Sequence, residues 1–198
     1  MLDTLDLEKE EITQLVPPGP HEDEKIKDEV IKITDPEEFL ENFFGSDEYE
    51  EAYKRYYEGK NPIDVTEEEK RESFDRSDNA RMALIDFSKN NRIILKYDPN
   101  MYSKEFNNDF QEYVHSIKDV RKNARYIDSD DIYKWDTNRR YCHLECASTL
   151  VRDGIVKHQN LAEGLIQLLT IEMGLETFGS AEESTHEKIK RSIVGRNY

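Results

Sequence analysis

Charge is not spread evenly along this chain: residues 1–70 carry a net −15, whereas residues 71–198 carry a net −1. A segment with that much self-repulsion gains little from collapsing by itself, and such asymmetry marks an interaction arm attached to an ordinary domain. The remaining 128 residues suit one compact domain. The expected organisation is an acidic, aromatic-containing N-terminal arm over residues 1–65 and a helical domain over residues 66–198.

Within the arm, Pro17, Pro18, Gly19 and Pro20 form a linker, because proline lacks the donor that helix or ladder needs and restricts the residue before it. Before the linker, Leu2, Leu5, Leu7, Ile12, Leu15 and Val16 sit among Asp3, Asp6, Glu8, Glu10 and Glu11, a weakly amphipathic pattern suited to docking as a short helix. After it, Ile26, Val30, Ile31 and Ile33 recur with mixed period, which does not decide between helix and strand.

Residues 35–57 are unusual in their aromatic density. Phe39, Leu40, Phe43, Phe44, Tyr49, Tyr53, Tyr56 and Tyr57 alternate with Glu37, Glu38, Glu41, Asp47, Glu48, Glu50 and Glu51. Asp35 followed by Pro36 and Glu37 is a helix start, and Ser46 before Asp47 and Glu48 is a second one, stopped by Gly59, Asn61 and Pro62. Two readings stand here. The rings and carboxylates form a docking element for a partner's basic or apolar groove, or the rings pack back on the chain's own domain, as large apolar residues usually do.

The domain reads as mainly α: a helical bundle of about five helices with one candidate short strand near 92–97. Thr66 with Glu67, Glu68 and Glu69 opens a helix whose face is Phe74, Ala80, Leu84 and Phe87, with a stop at Asn90 and Asn91. Phe106, Phe110, Tyr113, Val114, Ile117, Val120 and Ala124 then repeat at three and four, the cleanest amphipathic helix in the chain. Asp128, Ser129 and Asp130 cap the next, whose stripe is Ile132, Trp135, Arg139, Cys142, Cys146, Thr149 and Leu150, with Gly154 as its stop. Asn160 with Glu163 resembles a capping box. The helix it opens, Leu161 to Met173, is apolar nearly all round and belongs at the centre of a bundle. Gly174 ends it, and Ser180 to Arg196 forms a last charged helix or tail.

With 36% apolar and 36% charged residues, the chain holds no apolar run long enough to span a bilayer. The N-terminus lacks the basic n-region and apolar h-region of a secretory signal, so an intracellular location, or one within an assembled particle, is expected. The two cysteines, Cys142 and Cys146, rule out a disulfide framework. With His143, and with His158 beyond the reversal at Gly154, they are the candidate metal ligands, but their spacing is not a standard finger and they lie on the apolar stripe. No metal or other cofactor is expected. Two Glu-x-x-His pairs, Glu112 with His115 and Glu183 with His186, have the form of di-iron ligands. Periodicity puts the first pair on the solvent side, and the second lies in a polar segment.

Leu150 to Leu169 resembles a helix-turn-helix, yet its second helix offers Leu, Ile and Glu163 rather than a series for base edges. Glycine-rich phosphate loops, nucleophile elbows and HExxH motifs do not occur in the sequence. The expectation is therefore a non-enzymatic protein-protein interaction or assembly protein: a complex or virion subunit, or an inhibitor whose carboxylates mimic nucleic acid. Its partner would be another protein or copies of itself, with no membrane and no direct nucleic-acid binding. Phe39, Phe43, Phe44, Tyr49, Tyr53, Tyr56 and Tyr57 would be the partner-binding anchors, and Arg121, Lys122, Arg125, Arg139 and Arg140 a basic socket for the arm. The alternatives are a nucleic-acid-associated regulator with basic clusters masked by the arm, and a metal-dependent enzyme.

Overall fold

The computed structural model describes residues 29–123 and 129–175. The expected docking helix before Pro17, the 17–20 linker, Arg125, the Asp128 cap, the Glu183 and His186 pair and the tail after Ser180 lie outside them.

The described chain is mainly α-helical, as the periodicity predicts. In order it forms β1 (Ile31–Ile33), α1 (Pro36–Phe44), α2 (Asp47–Tyr57), α3 (Glu67–Asp75), α4 (Asp78–Asn90), β2 (Ile93–Leu95), a 3-10 turn (Pro99–Met101), α5 (Lys104–Asn123), α6 (Ser129–Arg152) and α7 (Gln159–Glu172). Packing runs α2 to α4 to α7 to α6 to α5, with α3 resting on α4 and α2.

Local chemistry sets most of these boundaries. Asp35 accepts from the Glu37 amide at 2.9 Å with Pro36 at the first helical position, and Ser46 accepts from the Tyr49 amide at 3.2 Å. Thr66 and Glu69 form a reciprocal capping box, each side chain bonding the other's backbone amide. Gly154 and Gly174 close α6 and α7 with φ of 77° and 72°, in the left-handed region.

The structure departs from the sequence reading at three points. The stretch from Thr66 to Asn90 is two helices, because Ser77 bonds both the Phe74 carbonyl and the Ala80 amide and so ends one helix while starting the next. Asn160 does not cap α7. That helix begins at Gln159 behind His158, whose side chain makes no cap bond, while the Asn160 amide group donates to the Arg76 carbonyl. The undecided segment around Ile31 is a strand, paired in parallel with the candidate strand in the register Ile31 to Ile93 and Ile33 to Leu95.

One contiguous core unites the described residues. It includes Phe39, Phe43, Tyr49 and Tyr53 from the acidic segment, Phe74, Leu84 and Phe87, and the buried faces of α5, α6 and α7. Residues 36–57 are thus built into the helical body rather than extending from it. Gly164 permits α7 to approach α4 closely: a Cβ there would lie 2.9 Å from Leu84 Cδ2.

Candidate interaction surface

The rings of the acidic segment interlock. Phe43 sits edge-on to Tyr49 with centroids 5.3 Å apart, Tyr49 edge-on to Phe74 at 5.4 Å, and Phe39 edge-on to Phe87 at 5.6 Å, the geometry that aromatic quadrupoles prefer. Their hydroxyls are tied down as well. Tyr49 donates to Asp75 at 2.8 Å, Tyr53 to Glu67 at 2.6 Å, and Tyr57 to the Lys70 carbonyl at 2.9 Å. Burial, helped by Glu67, pushes the Tyr53 hydroxyl up to about 12, and burial raises Tyr49 further, so both remain protonated donors at neutral pH. The Arg71 guanidinium stacks 3.9 Å over the Tyr53 ring and forks onto Glu50 at 2.6 and 3.2 Å, joining α3 to α2.

Of the expected anchors, Phe39 and Phe43 are fully buried and Tyr49 and Tyr53 nearly so. Used in their own core, these four cannot anchor a partner without unfolding α1 and α2. Tyr56 and Tyr57 are half-buried against the same core, and Phe44 alone of the seven is substantially exposed, at 39%. The carboxylates take the opposite side of the same helices. Glu37, Glu38, Glu41, Asp47, Glu51, Glu58, Glu67 and Glu68 are exposed, and residues 35–75 hold 15 Asp and Glu against five Lys and Arg.

The expected basic socket is not an open one. Asp136 is 3% exposed and takes Arg139 at 3.2 Å and Arg140 at 3.2 Å, so both guanidinium groups compensate a buried charge on their own helix. Arg121 donates to the Gly174 carbonyl at 3.4 Å, and the Lys122 side chain and Arg125 lie outside the described residues.

Cys142, His143, Cys146 and His158 are not brought together as ligands. Cys146 is buried in the core, and burial raises its thiol well above the usual range, as it does more modestly for half-buried Cys142. His143 stacks on Tyr113 at 5.0 Å and its Nε2 lies 3.3 Å from the Glu163 carbonyl; burial lowers it to about 4, leaving a neutral ring at pH 7. His158 is half-buried at the start of α7, beside Arg76 and Lys157. Among the described residues, no three His, Cys, Asp or Glu side chains cluster as metal ligands. Glu112 and His115 are exposed, as periodicity predicts, and α7 buries Leu161, Leu165, Ile166 and Leu169 rather than presenting a recognition face. No helix among the described residues is long and apolar enough to cross a membrane.

Beside the acidic face runs an open groove of about 560 Å³ that sequence reasoning did not find. Apolar Ile31, Ile33, Phe87 and Ile93 line it together with the carboxylates Glu38, Asp47 and Glu48 of α1 and α2, with Asn42 and Asn91, and with one cation, Lys32. Asn91 donates to Glu48 at 2.8 Å, fixing that carboxylate in place. The apolar pair Ile31 and Ile33 was the available signal, but without a known partner strand it has no assignable face. Comparison with protein-family models, with curated proteins and with solved structures gives no match.

Proposed function

We propose that this protein is a non-enzymatic interaction protein that engages a basic protein partner through the carboxylate-bearing outer face of α1, α2 and α3. The supporting observation is the division of labour within residues 35–75. All their aromatic side chains but Phe44 pack in or against the core, while the stretch holds an excess of ten acidic over basic residues, eight of it on three short, capped helices. A fixed anionic field steers a basic partner into encounter and sets its orientation without the ordering cost that a free acidic arm carries. The rings serve this by rigidity rather than by contact, which replaces the anchoring role expected of them from sequence.

The test uses the full chain and a variant with Glu41, Glu51, Glu58 and Glu68 changed to Gln, all exposed residues. Both are incubated with nuclease-treated native lysate and the retained proteins are read by mass spectrometry after a salt step. The proposal expects a basic protein at stoichiometric level on the wild type, released by salt and lost from the variant. Equal retention by both chains contradicts it.

A further inference from the structure

The parallel pair is unfinished on one side. Ile31 donates its amide to the Arg92 carbonyl at 3.0 Å and Ile33 accepts from the Lys96 amide at 2.8 Å, so these two residues face β2. In a parallel ladder the intervening residue faces the other way. The amide and carbonyl of Lys32 therefore point along the outer edge of β1, where no further strand pairs among the described residues. Isolated two-stranded pairs are marginal, and an open edge is a template for a third strand. The alternation of side chains also puts Ile31, Ile33, Ile93 and Leu95 on one face. Ile33 and Leu95 are buried, but Ile31 is 53% exposed and opens with half-buried Ile93 into the groove.

We infer that the outer edge of β1 and the groove beside it receive an extended, basic peptide segment of the partner as a third strand. This rests on the interaction reading above and specifies how and what the acidic face recognises. Main-chain bonds to Lys32 would supply the pairing, and alternate side chains of the added strand would enter the groove. The groove's chemistry selects them: aliphatic stems lie on Ile31, Phe87 and Ile93, and cationic heads reach Glu38, Asp47 and Glu48. Lysine or arginine at every second position meets both demands. The same charges disfavour the other occupants, because a second copy of a chain with net charge −16, or the acidic residues 1–28 of this one, would bring like charge to those carboxylates.

The experiment is an amide chemical-shift titration of the isotope-labelled full chain with the pentapeptide acetyl-Val-Lys-Val-Lys-Val-amide at low salt. Its controls are the Val-Glu-Val-Glu-Val counterpart and a version N-methylated at alternate residues. Expected are shifts confined to Ile31, Lys32, Ile33, Gly45, Ser46 and Asn91 with the lysine peptide, and none with either control. Glu38→Gln and Asp47→Asn should each weaken binding about threefold, as for a partly exposed charge pair. Glu112→Gln, on the exposed side of α5, should leave it unchanged. Equal binding of the N-methylated peptide overturns strand addition. Shifts spread over the outer faces of α1 to α3 overturn the groove while leaving the acidic-face reading intact. Cross-strand contacts to Lys32 in the free chain, from a second copy or from residues 1–28, overturn the choice of occupant. Absence of any shift overturns the groove proposal, with the lysate experiment deciding the broader one separately.

Discussion

Two regions of the core, around α1 to α4 and around α7, solve the same packing problem with different materials. Around α1 to α4 the interior is largely aromatic: Phe39, Phe43, Tyr49, Tyr53, Phe74 and Phe87 meet largely edge to face, under helices that together carry an excess of carboxylates. Around α7 the interior is aliphatic, with Leu161, Leu165, Ile166, Leu168 and Leu169 buried on a helix that has little outer surface. The difference teaches that a short helix with a strongly charged exterior needs large side chains to secure it. Each ring buries more area per residue than an aliphatic side chain, and in tyrosine it also carries a hydroxyl that can bond the polar layer above. A central helix surrounded by neighbours does not need that.

The sharpest way to break this comparison is to remove one ring. Phe74→Ala takes away the side chain against which Tyr49, Tyr53 and Tyr56 all pack, and should cost about 3–5 kcal/mol. Urea unfolding followed by circular dichroism measures it. A loss under about 1 kcal/mol would mean the aromatic layer is dispensable.

The region around α7 contains an acid-sensitive group, His143. His143 has a folded value lowered to about 4 by burial, below its ordinary 6.5, so the unfolded chain binds more protons than the folded one between those values. Its contribution to stability is intact above pH 6.5 and falls as the pH drops towards 4, by at most about 1.4 kcal/mol per pH unit. Melting temperatures measured over that window should show this fall in the wild type and a shallower one in His143→Phe; parallel profiles would contradict it.

Two smaller effects sharpen the contrast. Gly164→Ala places a methyl 2.9 Å from Leu84 Cδ2 and 3.2 Å from Arg81 Cγ, and the overpacking should outweigh the gain in helix propensity, for a net loss of about 1–2 kcal/mol. An increase in melting temperature would show that α4 and α7 yield there. Ser77→Ala removes the oxygen that accepts from Ala80 and should cost about 1 kcal/mol in the same unfolding assay. No change would mean that the break between α3 and α4 is held by packing alone.

Legibility in the sequence follows the range of the interactions. Starts at Asp35, Ser46 and Thr66 and stops at Gly154 and Gly174 rest on bonds within a few residues, and they fall where the residues indicate. The stripe from Phe106 to Val120 is buried as its period predicts. What depends on distant partners was not legible. Ile31 needed Ile93, 62 residues on, to become a strand. The rings of residues 39–57 needed Phe74 and Phe87 to become core, which the local alternation of aromatic and acidic residues does not reveal. Asp136 gives the opposite lesson: its partners at three and four residues were in view, but a charged residue on a helix reads as solvated until its burial is known.

The central claim is that the acidic, aromatic segment is an integral part of the body and holds its carboxylates in place. Native-state hydrogen exchange compares the two regions directly, by the opening free energies of the Tyr49 and Tyr53 amides in α2 and the Leu165 and Ile166 amides in α7. One cooperative core predicts that both sets exchange through the same global opening, and that Phe74→Ala lowers both together. Exchange of the α2 amides through a far cheaper opening, with α7 still protected, would return the segment to the status of an arm and remove the basis for a fixed acidic face.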